Sequence, residues 1–309
     1  MYNYNNFIKD VLTVKNNTKE NFTHLLSYIK KYKGKTFVIK YGGSIMEDET
    51  AKKYFFQDIA FLKKSGVNPV IVHGGGKRIS AMLKEIGCPV EFNRGLRITD
   101  SKTMEIVELV LSGQVNKEIS NALSLIGASA LGISGKDAGL LKAKKTLTKV
   151  DDEYIDLGFV GEIVSVNTKV IEDIIKMGYI PVISPVSCDE DGNSYNVNAD
   201  FAAASISSHL KADKLILLTD VPGVYSSFED KTIINEIYED EVENYISSGI
   251  ISGGMIPKVT CCRDVVRSGV KDVVMIDGKR EHGLLLDALS EGGLKTIIRK
   301  GVRECQKVI

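Results

Sequence analysis

The chain has 309 residues, enough for one large domain or two lobes around a sizeable core, and its 40 basic and 40 acidic residues cancel. Without net charge, no overall field favours nucleic acid or an anionic membrane surface, so an anionic ligand must be bound by local charges. No apolar run approaches the about 18 residues of a membrane span, and residues 1–33 lack the apolar region of a signal peptide. We expect a soluble, cytoplasmic protein.

The five cysteines form no disulfide framework, and none has zinc-type spacing with any of the four histidines. This usage fits a reducing compartment, and we predict no protein-held metal site. We interpret the adjacent Cys261 and Cys262 as packed or bystander thiols within a helix.

The predicted elements begin with a weakly amphipathic helix over residues 5–30, within an N-terminal helical extension of residues 1–33. A short helix by itself is marginal in water, so its apolar face must pack on its own lobe or on a second subunit. The sequence leaves both alternatives open.

From residue 36 onward, short apolar runs alternate with segments of helical period, which is typical of βα units on a mostly parallel sheet. The pattern predicts the α/β class, with an open, mostly parallel sheet sandwiched by helices. We predict strands at 36–41, 69–72, 130–134, 179–184, 214–219, 272–276 and 296–299, and helices at 49–64, 79–86, 101–126, 168–177, 200–210, 257–267 and 282–289. Glycines end several of these helices, at Gly66, Gly87, Gly127, Gly178 and Gly269.

Two segments depart from this alternation. Residues 140–166 predict a small antiparallel β-hairpin insertion, with turns at residues 151–152 and 157–158. The polar stretch 188–194 is the best candidate for a boundary between an N-lobe of residues 34–190 and a C-lobe of residues 191–309.

The first predicted strand ends near Lys40 and runs directly into Gly42 and Gly43. This places a cation and bare backbone N–H groups at the carboxyl edge of the sheet, where α/β folds bind ligands. Glycine lets the backbone approach a phosphate, and the next helix offers its positive N-terminus. The alternative is an ordinary βα turn with an exposed lysine, because glycine turns are common.

A second strand leads through His73 into three glycines, residues 74–76, which form a candidate backbone nest for an anion. A Walker-type site is excluded because Arg78 stands where Ser or Thr would hold magnesium. A dinucleotide fold is disfavoured because no strict Gly-x-Gly-x-x-Gly turn is present. We interpret His73 as structural rather than catalytic.

Further polar residues stand at predicted element boundaries. The planar guanidinium group of Arg97 can bind a carboxylate through two hydrogen bonds, although an exposed or capping arginine is the alternative. Asn196, Asn198 and Asp200 precede an alanine-rich helix, and a helix cap explains only one of the three. Lys258 lies in the first turn of a helix, where a cation opposes the dipole and indicates a nearby anion.

Together these segments resemble the acetylglutamate kinases, a branch of the amino-acid kinase superfamily. The match runs from about residue 35 to residue 298 and rests on IKYGG at 39–43, HGGG at 73–76, GLRIT at 95–99, NVNAD at 196–200, LLTDV at 217–221 and GGMIPK at 253–258. The first and last of these are shared across the superfamily. The arginine loop and the NVNAD run indicate the branch.

The resemblance implies an ATP-dependent kinase that phosphorylates the side-chain carboxylate of N-acetyl-L-glutamate, the second step of arginine biosynthesis. It implies that the N-lobe binds the acyl amino acid and dimerises, that the C-lobe binds ATP, and that Mg²⁺ arrives with the nucleotide. A carboxylate with a pKa of about 4.3 is ionised at pH 7, so the reaction needs no general base.

The resemblance also implies roles for individual residues. Lys40 and Lys258 would stabilise charge on the phosphoryl group, and Asp200 would hold both lysines. The implied binding residues are Gly75, Gly76, Arg97 and Asn196 for the acceptor, and Gly42, Gly43, Thr219, Asp220, Gly254 and Met255 for the phosphates and nucleotide.

Members with an N-terminal helix resemble arginine-inhibited hexamers, which implies a homodimer or a trimer of dimers here. The corresponding arginine site would include His282, Asp287 and Gly293. Asp287 replaces the glutamate of that pattern and Lys295 replaces a glycine, so L-arginine inhibition is a hypothesis that the sequence supports only in part.

Two alternatives stay open. One is another amino-acid or carbamate kinase of the same fold, which would share Lys40 and Lys258 but need a different acceptor loop. The other is a non-catalytic arginine-sensing homologue, which the retained lysines, Asp200 and glycine turns argue against.

Overall fold

The computed structural model describes residues 27, 30–93, 95–150, 153–227, 229–288 and 293–301. The predicted helix over 5–30 lies almost wholly outside the described residues, and so do Cys305 and the predicted turn at 151–152. Within the described part of the chain, no helix has the length and apolar character needed to cross a membrane.

Strands and α-helices alternate along much of the described chain. The strands are β1 Thr36–Tyr41, β2 Asn68–His73, β3 Phe92–Asn93, β4 Leu96–Arg97, β5 Ala130–Ser134, β6 Leu141–Val150, β7 Glu153–Val166, β8 Ile180–Ser184, β9 Val186–Cys188, β10 Ser194–Asn196, β11 Lys214–Thr219, β12 Tyr225–Ser227, β13 Thr232–Ile233, β14 Glu236–Tyr238, β15 Asp272–Asp277 and β16 Lys295–Arg299. The α-helices are α1 Glu49–Lys64, α2 Gly76–Glu85, α3 Ser101–Glu108, α4 Asn116–Leu125, α5 Thr168–Lys176, α6 Ala199–Leu210, α7 Val242–Ser247, α8 Met255–Arg267 and α9 Gly283–Leu286.

An eight-stranded sheet runs through the molecule in the order β14-β16-β15-β11-β1-β2-β8-β5. All neighbouring strands are parallel except β15 and β16. The predicted α/β class and mostly parallel sheet are therefore confirmed. Because β1, β2 and β11 are parallel neighbours, their carboxyl ends lie at one edge of the sheet, with Lys40 opposite Val72 and Leu217.

The two faces of the sheet are covered by separate apolar clusters. Phe37, Ile39 and Tyr41 of β1 point into the cluster that contains α1, whereas Val38 points into the cluster that contains α6 and α8. The lack of alternation in the strand sequences reflects this burial on both sides. Strand β1 is consequently packed on both faces, and this packing holds Lys40 in place at the carboxyl edge of the sheet.

Local signals explain where the helices begin and end. Asp48 caps α1 by accepting hydrogen bonds from the N–H groups of Thr50 and Ala51, each at 2.9 Å. The five glycines predicted to end helices all have positive φ, from 72° to 111° (Gly66, Gly87, Gly127, Gly178 and Gly269).

The single helix predicted over 101–126 is wrong in one respect. A π-helical segment, Leu109–Val115, separates α3 from α4. Helical periodicity does not reveal this insertion, because one wider turn changes the direction of later side chains without changing their character.

The predicted antiparallel insertion is present, but the turn predicted at 157–158 is wrong. β6 and β7 form a hairpin and close a small barrel with β9 and β10. Gly158 has a φ of 79° and lies at an irregularity inside β7, where it forms an isolated β-bridge with Thr99. Thr99 N–H donates to Leu157 O at 2.8 Å, and Phe159 N–H donates to Thr99 O at 2.6 Å.

The short elements escaped sequence prediction. β3, β4, β9, β10 and β12 to β14 have two or three residues each, which is too few for a periodic signal. The proposed lobe boundary after residue 190 falls between β9 and β10, which pair with each other, while the large sheet takes strands from both sides of that boundary.

Candidate active site

The first glycine turn follows β1 and is fixed by a second strand end. Gly43 has a φ of 72°, which favours glycine, and a Cβ there would lie 3.4 Å from Asp220 Oδ1. Asp220 also accepts hydrogen bonds from the hydroxyl and the N–H of Ser44. The turn is therefore held in place by the carboxylate that follows β11.

Lys40 and Lys258, which are 218 positions apart in the sequence, meet at one carboxylate. Lys40 Nζ lies 2.9 Å from Asp200 Oδ1, and Lys258 Nζ lies 2.6 Å from Asp200 Oδ2. Asp200 stands in the first turn of α6, whose cap Asn198 accepts a hydrogen bond from the Asp200 N–H at 2.8 Å. Two cations and one anion leave this group with an excess positive charge.

Asp200 stays ionised although it is largely buried. Burial by itself would raise the pKa of its carboxyl, but the charges of Lys40 and Lys258 and their bonds to it outweigh burial and lower the pKa. The carboxylate can therefore hold both ammonium groups at neutral pH, and a further anion beside them would be attracted.

A cavity of about 210 Å³ opens beside this ion cluster. Seven of the residues predicted for the site line it: Lys40, Gly43, Gly75, Gly76, Arg97, Asn196 and Asp200. Lys258, Gly42, Thr219, Asp220, Gly254 and Met255 are not among its lining residues. Lys258 nevertheless reaches this place through its ion pair with Asp200.

Arg97 presents one donor for which the described part of the chain supplies no partner. Its side chain is 5% exposed, and Nη2 donates to Gly76 O at 2.9 Å and to Ser80 Oγ at 2.8 Å. Nη1 is buried and has no hydrogen-bond partner among the described residues. Burial lowers the pKa of Arg97 without removing its charge, so the site offers a desolvated cation to a carboxylate.

Two neighbours fix the position of Arg97 and its loop. The ring centroid of Phe92, on β3, lies 4.6 Å from the guanidinium carbon. Asn196 donates through Nδ2 to Thr99 Oγ1 at 3.2 Å, and Thr99 Oγ1 donates to Arg97 O at 2.8 Å. Phe92 also lines the cavity, and sequence reasoning missed it because β3 is too short to be recognised.

The residues predicted for the nucleotide lie around the first turn and the start of α8. Thr219 ends β11, and its hydroxyl is engaged with the carbonyl groups of Val221 and Ile276. The hydrogen bond from the Ser44 hydroxyl is the largest of the effects that lower the pKa of Asp220. Gly254 and Met255 begin α8. The sequence motifs did not identify Ser44 as a site residue, although it directly follows Gly42 and Gly43 of the first glycine turn.

The three residues of the candidate arginine site do not line the cavity. His282 Nδ1 lies 2.6 Å from Asp58 Oδ1 in a buried pair, and burial raises the pKa of Asp58 to about 6. Asp287 is buried and lies 2.6 Å from Arg280 Nη1, and Gly293 has a φ of 144°. Asp58 had no sequence signal, because it lies 224 positions from its partner.

Comparison with known proteins gives a consistent result. The model of the amino acid kinase family matches residues 35–277. The chain is 53% identical over 276 residues to the acetylglutamate kinase of Caldanaerobacter subterraneus subsp. tengcongensis, covering 89% of this chain and 91% of that protein. It is 49% identical over 285 residues to the acetylglutamate kinase of Clostridium acetobutylicum, covering 92% and 96%.

A solved structure shows the same fold at low identity. N-acetylglutamate synthase from Neisseria gonorrhoeae, complexed with coenzyme A and N-acetyl-glutamate, superposes with a TM-score of 0.79 at 23% identity. The match covers 91% of this chain and 63% of that one. The sequence identities extend over almost the whole of this chain, and so the chain belongs to the amino acid kinase family and, within it, to the acetylglutamate kinases.

Proposed function

We propose that this chain transfers the γ-phosphoryl group of ATP to the side-chain carboxylate of N-acetyl-L-glutamate, the second step of arginine biosynthesis. One observation carries the proposal. Asp200 holds two lysines beside a cavity that is lined in part by Arg97, whose Nη1 has no hydrogen-bond partner among the described residues. The lysines suit a phosphoryl group and the arginine suits a carboxylate, which is the combination that this acceptor requires.

The chemistry needs positioning and charge neutralisation rather than a base. The acceptor carboxylate, with a pKa of about 4.3, is already ionised at neutral pH. One of its oxygens attacks the γ-phosphorus, and the bond to the bridging oxygen breaks so that ADP leaves with the electron pair. Lys40 and Lys258 would stabilise the negative charge on the phosphoryl oxygens, and Asp200 would keep the two ammonium groups together.

The other predicted residues divide between the two substrates. Arg97 would bind the α-carboxylate of acetylglutamate and Asn196 would contact the same molecule, while Gly75 and Gly76 would offer backbone N–H groups. The groups proposed for the phosphates and nucleotide are Gly42, Gly43, Thr219, Asp220, Gly254 and Met255. Mg²⁺, carried by the nucleotide phosphates, would neutralise part of their charge.

Several finer properties are part of this proposal. Residues 34–190 would bind the acyl amino acid and form a dimer contact, and residues 191–309 would bind ATP. We further propose that the chain forms a homodimer or a trimer of dimers and that it is cytoplasmic. L-Arginine would inhibit it through a site that includes His282, Asp287 and Gly293. Four free cysteines among the described residues fit a reducing compartment.

The acceptor is tested by measuring ADP release with acetylglutamate, glutamate, aspartate and carbamate as separate acceptors. We expect turnover with acetylglutamate alone, and turnover with glutamate but not with acetylglutamate would refute the assignment. Repeating the assay with excess arginine tests regulation, because unchanged activity would remove the arginine site from the proposal.

The role of Arg97 is tested by Arg97→Lys, which keeps the positive charge but loses the paired N–H donors of the planar guanidinium group. We expect the KM for acetylglutamate to rise about ten-fold or more while the KM for ATP changes little. Arg263→Lys is the matched control, because Arg263 pairs with the exposed Glu243 and Asp264 outside the cavity. An equal rise in both KM values would place Arg97 outside the acceptor site.

A further inference from the structure

A buried histidine and a buried asparagine lie beneath the second glycine turn. His73 is the last residue of β2, and Asn116 follows the π-helical segment as the first residue of α4. Both side chains are 0% exposed, and neither lines the cavity. Any effect on the reaction must therefore pass through the turn itself.

The hydrogen bonds of Asn116 determine which ring nitrogen of His73 carries the proton. Asn116 Nδ2 lies 2.9 Å from Val182 O and 3.1 Å from Ile133 O, and carbonyl oxygens only accept. Lys117 Nζ, which only donates, lies 3.2 Å from Asn116 Oδ1. Nδ2 is therefore the amide NH₂ group, sharing its two hydrogens among three acceptors.

The third acceptor of this NH₂ group is His73 Nε2, at 3.1 Å. A neutral imidazole that accepts at Nε2 carries its proton on Nδ1, which lies 3.0 Å from Gly74 O. Burial lowers the pKa of His73 to about 4, so the ring stays neutral at neutral pH. His73 consequently donates a hydrogen bond to the Gly74 carbonyl.

This hydrogen bond orients the peptide group between Gly74 and Gly75. No described peptide bond is cis, and in a trans peptide the C=O and N–H point in opposite directions. Since the Gly74 carbonyl points to His73, the Gly75 N–H points away from it. Gly75 is buried and lines the cavity, and its N–H has no acceptor within the described ranges.

The π-helical segment packs against the same glycine. A Cβ on Gly75 would lie 2.6 Å from Leu111 Cδ2 and 3.5 Å from Val115 Cγ2. Asn116 directly follows this segment and is accommodated by Gly132, where a Cβ would lie only 2.2 Å from Asn116 Oδ1. One irregular stretch of helix therefore supports both the turn and its histidine, and such stretches are frequent at functional sites.

We propose that His73 and Asn116 are positioning residues, which hold the Gly75 N–H in the direction needed to bind an anionic oxygen of the reacting groups. The inference rests on the proposed phosphoryl transfer and adds to it the device that orients one backbone donor. Its consequence is that the reaction depends on the Nδ1 donor of His73, although His73 touches no substrate.

Two substitutions of His73 separate this role from simple packing. Asn places its amide where Nδ1 stands and can still donate to Gly74 O, whereas Gln places its amide near Nε2 and cannot. We expect His73→Asn to retain kcat within about three-fold, and His73→Gln to lose about ten-fold or more with the KM for ATP little changed. Equal losses in two folded variants would overturn the proposal.

The tautomer is measured independently of activity by ¹⁵N NMR of the ring nitrogens of the full chain, with His73 assigned through the loss of its signals in His73→Asn. We expect a protonated Nδ1 and an unprotonated Nε2. The reverse tautomer would overturn the proposal even if His73→Gln failed to fold. A wild-type chain with this tautomer but no turnover of acetylglutamate would instead refute the proposed function.

Discussion

Asp200 is the residue on which the two lysines depend. Its carboxylate lies 2.9 Å from Lys40 Nζ and 2.6 Å from Lys258 Nζ, and without it the two cations would repel each other in a partly buried place. The lysines come from opposite halves of the chain, so their meeting depends on this one carboxylate and on the packing of α6 against both β1 and α8.

Asp200→Asn should remove the negative charge while keeping the shape of the side chain. We expect kcat to fall about 100-fold or more, because the lysines would lose the fixed positions that their proposed role at the phosphoryl group requires. Asp173→Asn is the matched control: Asp173 also lies between two lysines, Lys169 and Lys176, but on the exposed side of α5. Similar kcat values for both variants would contradict the role of Asp200.

The lowered pKa of His73 predicts that this residue destabilises the folded chain in acid. The folded chain resists protonation of His73 down to pH about 4, whereas the unfolded chain binds the proton at a pKa of about 6.5. Since the unfolded state binds more protons at this position between these values, the contribution of His73 to the free energy of unfolding falls as pH falls below about 6.5.

The acid effect is isolated by comparing urea unfolding of wild type and His73→Asn at pH 7.5 and pH 5. We expect wild type to lose about 1–2 kcal/mol more than the variant, which has no group to titrate at this position. Asp58 has a raised pKa and therefore makes the free energy of unfolding change with pH in the opposite direction to His73. Because Asp58 is present in both proteins, its effect cancels in the comparison. Parallel pH dependences would show that His73 does not titrate in this range.

At the scale of elements, the π-helical segment connects the long α3–α4 helix to the sheet. Asn116 bonds to carbonyl groups of β5 and β8, and Leu111 packs on the turn after β2. These contacts require the backbone of β5 to approach the helix closely at Gly132, where no side chain fits.

Gly132→Ala should therefore disrupt this contact. The added Cβ would lie 2.2 Å from Asn116 Oδ1 and 3.0 Å from Ser120 Oγ, and we expect a loss of about 2–3 kcal/mol in the free energy of unfolding. Gly113→Ala is the control, because Gly113 is exposed in the π-helical segment and no described atom outside the adjacent backbone lies within 4 Å of its Cβ position. We expect it to be neutral or stabilising by about 0.5–1 kcal/mol.

At the scale of the whole molecule, one sheet joins the two proposed lobes. β1 pairs with β11 over four residues and β9 pairs with β10 over three, so the boundary after residue 190 is crossed by backbone hydrogen bonding at two places. The two apolar clusters also extend across strands from both sides of that boundary.

This continuity predicts a single unfolding transition in calorimetry, with equal calorimetric and van't Hoff enthalpies for each subunit. Saturating ATP should raise the midpoint of the whole transition, because a ligand that binds the native state stabilises every part that unfolds with it. Two resolved transitions, with only one shifted by ATP, would show instead that the lobes unfold independently.

Much of this protein follows from its sequence. Apolar runs without alternation predicted the strands of the large sheet to within one residue, apart from the three-residue β14, and the boundaries of α1 were predicted without error. Local patterns are sufficient there because burial on both faces and helix caps act through residues that are close in the chain. The glycine turns and the acetylglutamate kinase branch were likewise recognisable from short motifs.

Tertiary structure decided what no local pattern encodes. The meeting of Lys40 and Lys258 at Asp200, the hydrogen bond of Arg97 to Gly76 O and the support of Gly75 by His73 and Asn116 all join segments far apart in sequence. Such contacts depend on which strands become neighbours in the sheet and on where the helix between β4 and β5 forms its π-helical segment. The sequence determined the elements and the family, and the packing of those elements determined where each polar group finds or lacks a partner.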